Sequence, residues 1–315
     1  MIEVKNLVKK YGSKYAVDHI SFTVNKGEIL GFLGPNGAGK STTLNIITGF
    51  LSSTSGDAFV DGINVLDEPE KAKRKIGFLP EQPPLYLEMT VKEYLNFVCD
   101  IKGVKTDRKS HISDICELVK ISHVYNRIIK NLSKGYRQRV GVAQSLVGNP
   151  EILILDEPTV GLDPRQIIDI RNLIMDLGKQ HTIILSSHIL SEVQATCSRV
   201  IVINEGKLLA DDTPENLSKN LSTDNRIVVR IKGSMNEISD ILNEIPGIIS
   251  VELLGEREIG AFDYIVEAER GTDIRETLFI AMAQSELPIL SMKNSELTLE
   301  DIFLKLIGNA GKEVV

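Results

Sequence analysis

Within Gly34-Pro35-Asn36-Gly37-Ala38-Gly39-Lys40-Ser41-Thr42, the first eight residues fit the pattern G-x-x-x-x-G-K-[ST] that cradles phosphate groups. Its glycines let the backbone turn so that several N–H groups converge on phosphate oxygens, and the helix that follows adds partial positive charge behind them. Lys40 is spaced to reach the β- and γ-phosphates of a nucleoside triphosphate, and the Ser41 hydroxyl is a ligand for Mg2+. Farther along, Ile152-Leu153-Ile154-Leu155 runs into Asp156-Glu157-Pro158, two adjacent carboxylates at the end of an apolar strand. In a parallel sheet, strand carboxyl ends line the ligand crevice. Asp156 can therefore approach the metal through water, and Glu157 can polarise a water for attack on the γ-phosphorus. Taken singly, the first motif could be a glycine-rich turn and the second a solvated acidic turn. Their presence in one chain favours triphosphate chemistry.

The surrounding elements alternate strand with capped helix up to about residue 220, the pattern of an α/β protein with a largely parallel sheet. Val17 to Val24 alternates, with Ile20, Phe22 and Val24 on one face, as in a half-buried strand. Glu28–Leu33 is a short apolar strand feeding the glycine-rich turn, and a helix follows it until Gly49. The runs 152–155, 182–185 and 200–203 are continuously apolar, as strands buried on both faces are. Asp163 with Pro164 opens a helix whose Ile167, Ile170, Ile174 and Leu177 form one buried stripe before Gly178. Ser133 caps another helix, running to about Val147, and the stretch from Val91 to about Asn131 reads mainly as helices. We place a first domain at 1–220 with a helical subdomain at about 83–135, and an accessory α+β domain at 221–315. In the latter, strands 226–231, 248–253, 262–267 and 289–292 and helices 235–243 and 273–284 spell β-α-β-β-α-β, a ferredoxin-like unit. A last helix begins at Leu299, and Ser234-x-x-Glu237 and Thr298-x-x-Asp301 read as capping boxes.

Composition narrows the function classes. The 315 residues, 42% hydrophobic and 25% charged, suit about two globular domains of roughly 100–200 residues and not a disordered chain. No run approaches the ~18 apolar residues of a membrane span, and Met1-Ile2-Glu3-Val4-Lys5 lacks a signal-peptide layout. Cys99, Cys116 and Cys197 are too scattered for a disulfide framework or a zinc site, which fits a reducing cytosol. A formal net charge of −7 argues against nucleic acid as the main partner.

Further motifs make the chain resemble the nucleotide-binding subunit of an ATP-binding cassette (ABC) transporter. Leu132-Ser133-Lys134-Gly135-Tyr136 resembles the family's signature loop, Val160-Gly161-Leu162-Asp163 its D-loop, and Ser186-Ser187-His188 its switch histidine, all in the family's order. The resemblance implies ATP as substrate and Mg2+ as cofactor. It implies that Tyr11 stacks on adenine, that Ser133 and Gly135 face the γ-phosphate held by an opposite cassette, that His188 bonds that phosphate, and that Asp163 joins the two sites. Two positions depart from the family pattern. Lys134 replaces a glycine and Tyr136 a glutamine in the signature. In Phe78-Leu79-Pro80-Glu81-Gln82, Glu81 stands where the Mg2+-contacting glutamine usually follows proline, with Gln82 next. A carboxylate ligates Mg2+ as well as an amide oxygen does, so Glu81 is the preferred ligand. The family also implies a dimer, with itself or a sister subunit, and a separate integral-membrane permease. That permease would dock near Pro83–Met89 and Tyr94, beside the apolar run Leu85-Tyr86-Leu87. The overall layout and the Leu297–Phe303 ending resemble ATPases of ABC-2-type exporters, cytoplasmic and peripheral on the membrane. The alternative, a soluble ABC ATPase acting on ribosomes or DNA, fits less well, since those types usually carry two cassettes or long coiled coils.

Overall fold

In the computed structural model, residues 1–105, 107–221, 226–269 and 271–294 are described. The helix expected from Leu299, the Thr298 capping box and the Leu297–Phe303 ending lie outside them. The chain divides into two compact units, Met1–Pro214 and Glu215–Val315, at the start of the polar stretch that begins with Thr213-Pro214.

The first unit runs β1 (Ile2–Tyr11), β2 (Lys14–Val24), β3 (Ile29–Leu33), α1 (Lys40–Ile47), β4 (Ser55–Val60), β5 (Ile63–Asn64), α2 (Pro69–Lys75), β6 (Ile76–Leu79), α3 (Val91–Lys102), α4 (Arg108–Leu118), α5 (Lys134–Leu146), β7 (Ile152–Asp156), α6 (Pro164–Gly178), β8 (Thr182–Ser187), α7 (Leu190–Thr196), β9 (Arg199–Asn204) and β10 (Lys207–Asp212). One sheet is antiparallel, in the order β2-β1-β4-β5. The other, ordered β10-β9-β3-β8-β7-β6, is parallel except for its edge strand β10. The core between them takes side chains from both sheets and from α1, with Leu44 and Ile47 fully buried beside Leu30, Phe32, Ile154 and Ile184. Phe22 and Phe32 bridge the sheets with ring centroids 5.5 Å apart. Every residue of β7 and β8 is buried, because helices cover the face turned away from α1. The covering is close: a Cβ added to Gly77 of β6 would lie 2.2 Å from the carbonyl oxygen of Ser145 in α5.

The insert between β6 and β7 is helical, as its lack of strand signals predicts, with short 3-10 turns at Ser122–Val124 and Ile129–Asn131. Thr90 heads α3 in a reciprocal capping box: its hydroxyl accepts from Glu93 N at 3.2 Å while Glu93 Oε2 accepts from Thr90 N at 2.8 Å. Tyr94, expected on a docking surface, is instead 2% exposed. It is a core residue because its position on α3 faces inward, and its hydroxyl donates to Pro84 O at 3.3 Å. Arg139 fastens α5 to its neighbours, donating to Val119 O at 3.0 Å and to Asp169 of α6 at 2.9 Å.

The second unit contains β11 (Arg226–Lys232), α9 (Met235–Glu244), β12 (Ile248–Glu258), β13 (Ala261–Ala268), α10 (Arg275–Gln284) and β14 (Ile289–Asn294); the helix Pro214–Leu221 (α8) precedes them across the division. Its sheet, ordered β12-β13-β11-β14, is antiparallel throughout. Ile227, Val229, Ile231, Tyr264 and Val266 pack with Ile238 and Leu242 of α9 and Leu278 and Met282 of α10. Arg230 forms ion pairs with Asp263 and Glu258. Ser234 occupies the N-cap of α9, but its side chain accepts no bond there, so the capping box expected with Glu237 does not form.

Replacing Thr90 by Ala removes the cap that starts the helical insert. Urea unfolding of the Thr90→Ala variant is expected to show a loss of about 1 kcal/mol with an unchanged m-value.

Candidate nucleotide site

The register of three parallel strands brings distant residues to one edge. In neighbouring pairs, Leu33 of β3 lies opposite Ser187 of β8, and Asp156 of β7 opposite Ser186 of β8. The next residues along each strand, Gly34, His188 and Glu157, therefore emerge together at the carboxyl edge, where parallel sheets bind ligands.

The glycine-rich turn feeds α1 directly. Gly39 is the N-cap of α1 with φ +108°, and a Cβ there would meet the Ala16 carbonyl oxygen at 2.4 Å. Only glycine satisfies both the backbone angle and that approach. Lys40, 6% exposed, is held at the first turn: Nζ donates to Gly34 O at 2.7 Å and to Pro35 O at 3.3 Å, and lies 3.4 Å from Glu157 Oε1. Gly34, Pro35, Asn36, Gly37, Ala38, Ser41 and Thr42 complete the loop and the start of α1.

Both carboxylates at the end of β7 are buried, Asp156 3% and Glu157 5% exposed. Burial pushes the Asp156 carboxyl above the usual carboxylate range, while the Ser41 and Ser186 hydroxyls pull it back. Asp156 Oδ1 and Glu157 Oε1 have no hydrogen-bond donor. Glu157 sits at φ +49°, a left-handed conformation that costs of order 1 kcal/mol for a residue with a side chain. Its N–H closes on Ser186 O at 3.1 Å. This turn aims its carboxylate between two cations or potential cations, with Oε2 2.8 Å from His188 Nδ1. The His188 side chain is 40% exposed, so its other face opens to the crevice mouth.

The signature residues lie apart from this cluster. Ser133 is the N-cap of α5, its Oγ accepting from Tyr136 N at 3.4 Å, and Asp163 caps α6, accepting from Gln166 N at 2.9 Å. Among the described residues, no hydrogen bond or ion pair joins Ser133, Gly135 or Asp163 to Gly34–Thr42. Lys134 extends over the D-loop, where a Cβ on Gly161 would meet its Nζ at 1.9 Å. Tyr136 is engaged locally, its hydroxyl 2.9 Å from His123 Nε2 and the rings edge to face at 5.2 Å. Glu81 and Gln82 line a cleft of about 340 Å3 with Leu85, Leu87, Lys134 and Val160, and no described hydrogen bond ties either to Ser41 or Asp156. Tyr11 ends β1, is 56% exposed, and has the Lys9 ammonium 5.4 Å from its ring centroid.

Sequence reading passed over three buried groups next to the acid pair. Thr159 Oγ1 and Ser187 Oγ both donate to Glu192 Oε2, at 2.7 and 3.1 Å. The only linear signal is an acid in the first turn after Ser186-Ser187-His188, which also reads as ordinary helix-dipole compensation.

A phosphate-cradling turn, an acidic strand end and a histidine at one sheet edge, with a serine-capped helix set apart, define a P-loop nucleoside triphosphatase of cassette type. The family model described as ABC transporter matches residues 17–160. The chain is 36% identical to the bacitracin transport ATP-binding protein BcrA of Bacillus licheniformis, over 98% of this chain and 97% of that one. It is 33% identical to the linearmycin resistance ATP-binding protein LnrL of Bacillus subtilis, over 98% of each. The dimeric, post-hydrolysis structure of the cassette MJ0796 bound to ADP and Pi superposes with TM-score 0.63 at 28% identity, over 68% of this chain and 98% of that one. This chain belongs to the ABC transporter family and is an ATP-binding, ATP-hydrolysing subunit.

Raising the pKa of Asp156 on folding means that its charge opposes folding at neutral pH, and that this cost lifts as the pH falls through the raised value toward 3.8. Asp156→Asn is therefore expected to raise the melting temperature of nucleotide-free protein at pH 7. The gap to wild type should close in acid, while ATP hydrolysis is lost at every pH.

Proposed function

We propose that this chain powers export through a separate membrane permease, as one of two cassettes that close around two ATP molecules. The observation that carries the reading is the Glu157 carboxylate, buried between Lys40 Nζ at 3.4 Å and His188 Nδ1 at 2.8 Å. Lys40 holds the β- and γ-phosphates, with Gly34–Thr42 N–H groups around them and Tyr11 against the adenine. Glu157 draws a proton from the attacking water, and His188 bonds the γ-phosphate and steadies Glu157.

The donor set suits Mg2+: Asp156 Oδ1 is buried without a hydrogen-bond donor beside the Ser41 hydroxyl, an all-oxygen pair of the kind this ion takes alongside substrate phosphates. Among the described residues no group of three or more His, Cys, Asp or Glu could hold a metal, so phosphate and water oxygens would complete its shell. Ser41 and Asp156 would hold Mg2+, with Glu81 the third candidate; when bound, the ion neutralises charge developing on the phosphate oxygens.

Ser133, Gly135 and Asp163 have no described bond to the chain's own cradle, which supports their use on a second copy's ATP, or on that of a sister subunit. ATP then favours the closed pair because it contacts both halves only there. In this reading the transport path belongs to the permease and this chain is peripheral on the cytoplasmic face; no helix among the described residues is long and apolar enough to cross a membrane. The cleft beside Leu85 and Leu87, next to the 53% exposed Tyr86, is a docking surface for it. The near full-length likeness to subunits named for bacitracin transport and linearmycin resistance favours an ABC-2-type exporter over a ribosome- or DNA-acting ATPase. The second unit serves regulation or dimerisation.

Glu157→Gln should bind ATP with near wild-type affinity, turn over at least 100-fold more slowly and accumulate as an ATP-bound dimer on size exclusion. Lys40→Ala should instead lose nucleotide affinity by at least 10-fold in equilibrium titration. Purification from detergent-solubilised membranes should bring down a hydrophobic multi-span protein; a ribosome in its place would reverse the assignment.

A further inference from the structure

Glu192 is as buried as Glu157, at 5% exposure, yet it belongs to neither the cradle nor the acid pair. It lies in the first turn of α7, and its Oε2 takes two hydrogen bonds from buried hydroxyls, Thr159 Oγ1 at 2.7 Å and Ser187 Oγ at 3.1 Å. Its Oε1 has no partner. A carboxylate in such a place carries a desolvation cost that only good hydrogen bonds offset. The two hydroxyls it gathers are not arbitrary. Thr159 stands two residues after Glu157, and Ser187 immediately before His188.

Backbone pairing between β7 and β8 ends at Asp156 and Ser186, and the Glu157 N to Ser186 O bond of 3.1 Å is the last between them. Past that point, the described hydrogen bonds between the two loops run through side chains: Glu157 to His188, and Thr159 and Ser187 through Glu192. Ser187 Oγ also accepts from Ile189 N at 2.9 Å, which shapes the turn that presents His188. His188 itself is half open to solvent and has Glu157 as its described hydrogen-bond partner.

We propose that Glu192 is a positioning residue for ATP hydrolysis: by gathering the Thr159 and Ser187 hydroxyls on one carboxylate oxygen, it staples the loop bearing Glu157 to the loop bearing His188. The staple keeps the 2.8 Å contact between Glu157 and His188 at the separation the reaction uses. This rests on the roles given above to those two residues. It acts on geometry and not on nucleotide affinity, because neither hydroxyl belongs to Gly34–Thr42.

The test measures MgATP hydrolysis, binding of a fluorescent ATP analogue and thermal melting on the full chain, for Glu192→Leu, which removes the shared acceptor, for Thr159→Val and for their combination. A misplacement of about 1 Å at reacting groups costs on the order of 100-fold. Glu192→Leu is therefore expected to lower kcat by at least 10-fold, with KM for ATP and analogue affinity within about 3-fold of wild type. The combined variant should lose no more than Glu192→Leu alone, since both break one staple. Thr159→Val exchanges a hydroxyl for a methyl group and carries the test by itself if the Glu192 variant does not fold. Folded variants with wild-type kcat, or single losses that multiply in the combination, overturn the proposal. Glu157→Gln is run alongside. If it hydrolyses ATP normally, the catalytic reading fails and this proposal with it; if it is silent while the staple variants are active, only the staple fails.

Discussion

A carboxylate with almost no access to water, caught between an ammonium and an imidazole, is the interaction on which this cassette turns. Glu157 is tolerable there because Lys40 stands 3.4 Å from one oxygen and His188 2.8 Å from the other. The same burial that makes the charge costly removes the solvent that would screen it. The left-handed backbone at Glu157 belongs to the same arrangement, since it turns the side chain back across the sheet edge toward Lys40.

That contact is possible because three strands end level. β8 lies between β3 and β7 with Ser187 opposite Leu33 and Ser186 opposite Asp156, so residues more than a hundred positions apart leave the sheet side by side. The strands can lie at the centre only because both faces are apolar and covered, by α1 and the antiparallel sheet on one side and by the later helices on the other. Side chains as small as the glycines of β3 and β6 let those helices come close. Core packing and site geometry are thus one problem: a slip of one residue in any of these strands would turn all of its side chains to the opposite face and scatter the site.

The departures in the signature segment are local adaptations of the same scaffold. Tyr136, in place of glutamine, packs edge to face on His123 and shares a hydrogen bond with it, anchoring the start of α5 to the helical insert. Lys134 reaches over Gly161 and brings a cation to the D-loop beside the exposed Ser133 cap. The helix still begins with a serine that accepts an N–H, so the anion-attracting end is intact while its surroundings differ.

Much of this was legible in the chain. The cradle at 34–42, the strand ending in Asp156-Glu157 and the caps at Ser133 and Asp163 are local features, set by backbone freedom, apolar runs and short-range hydrogen bonds, so their residue types announce them. The parallel strands, the helical insert and the β-α-β-β-α-β order of the second unit follow from the same local rules. Other features had no linear mark. Tyr94 reads as a surface aromatic but is core, Ser234 looks like half of a capping box that does not form, and Glu192 looks like an ordinary helix-start acid. Which face a residue turns inward, and which two hydroxyls meet one carboxylate, depend on strands and helices far apart in sequence. Motif residues and their spacing marked this chain as one that binds a triphosphate; only the alignment of β3, β7 and β8 decided that Lys40 and His188 meet around Glu157, because through-space electrostatics follows distance and not sequence order.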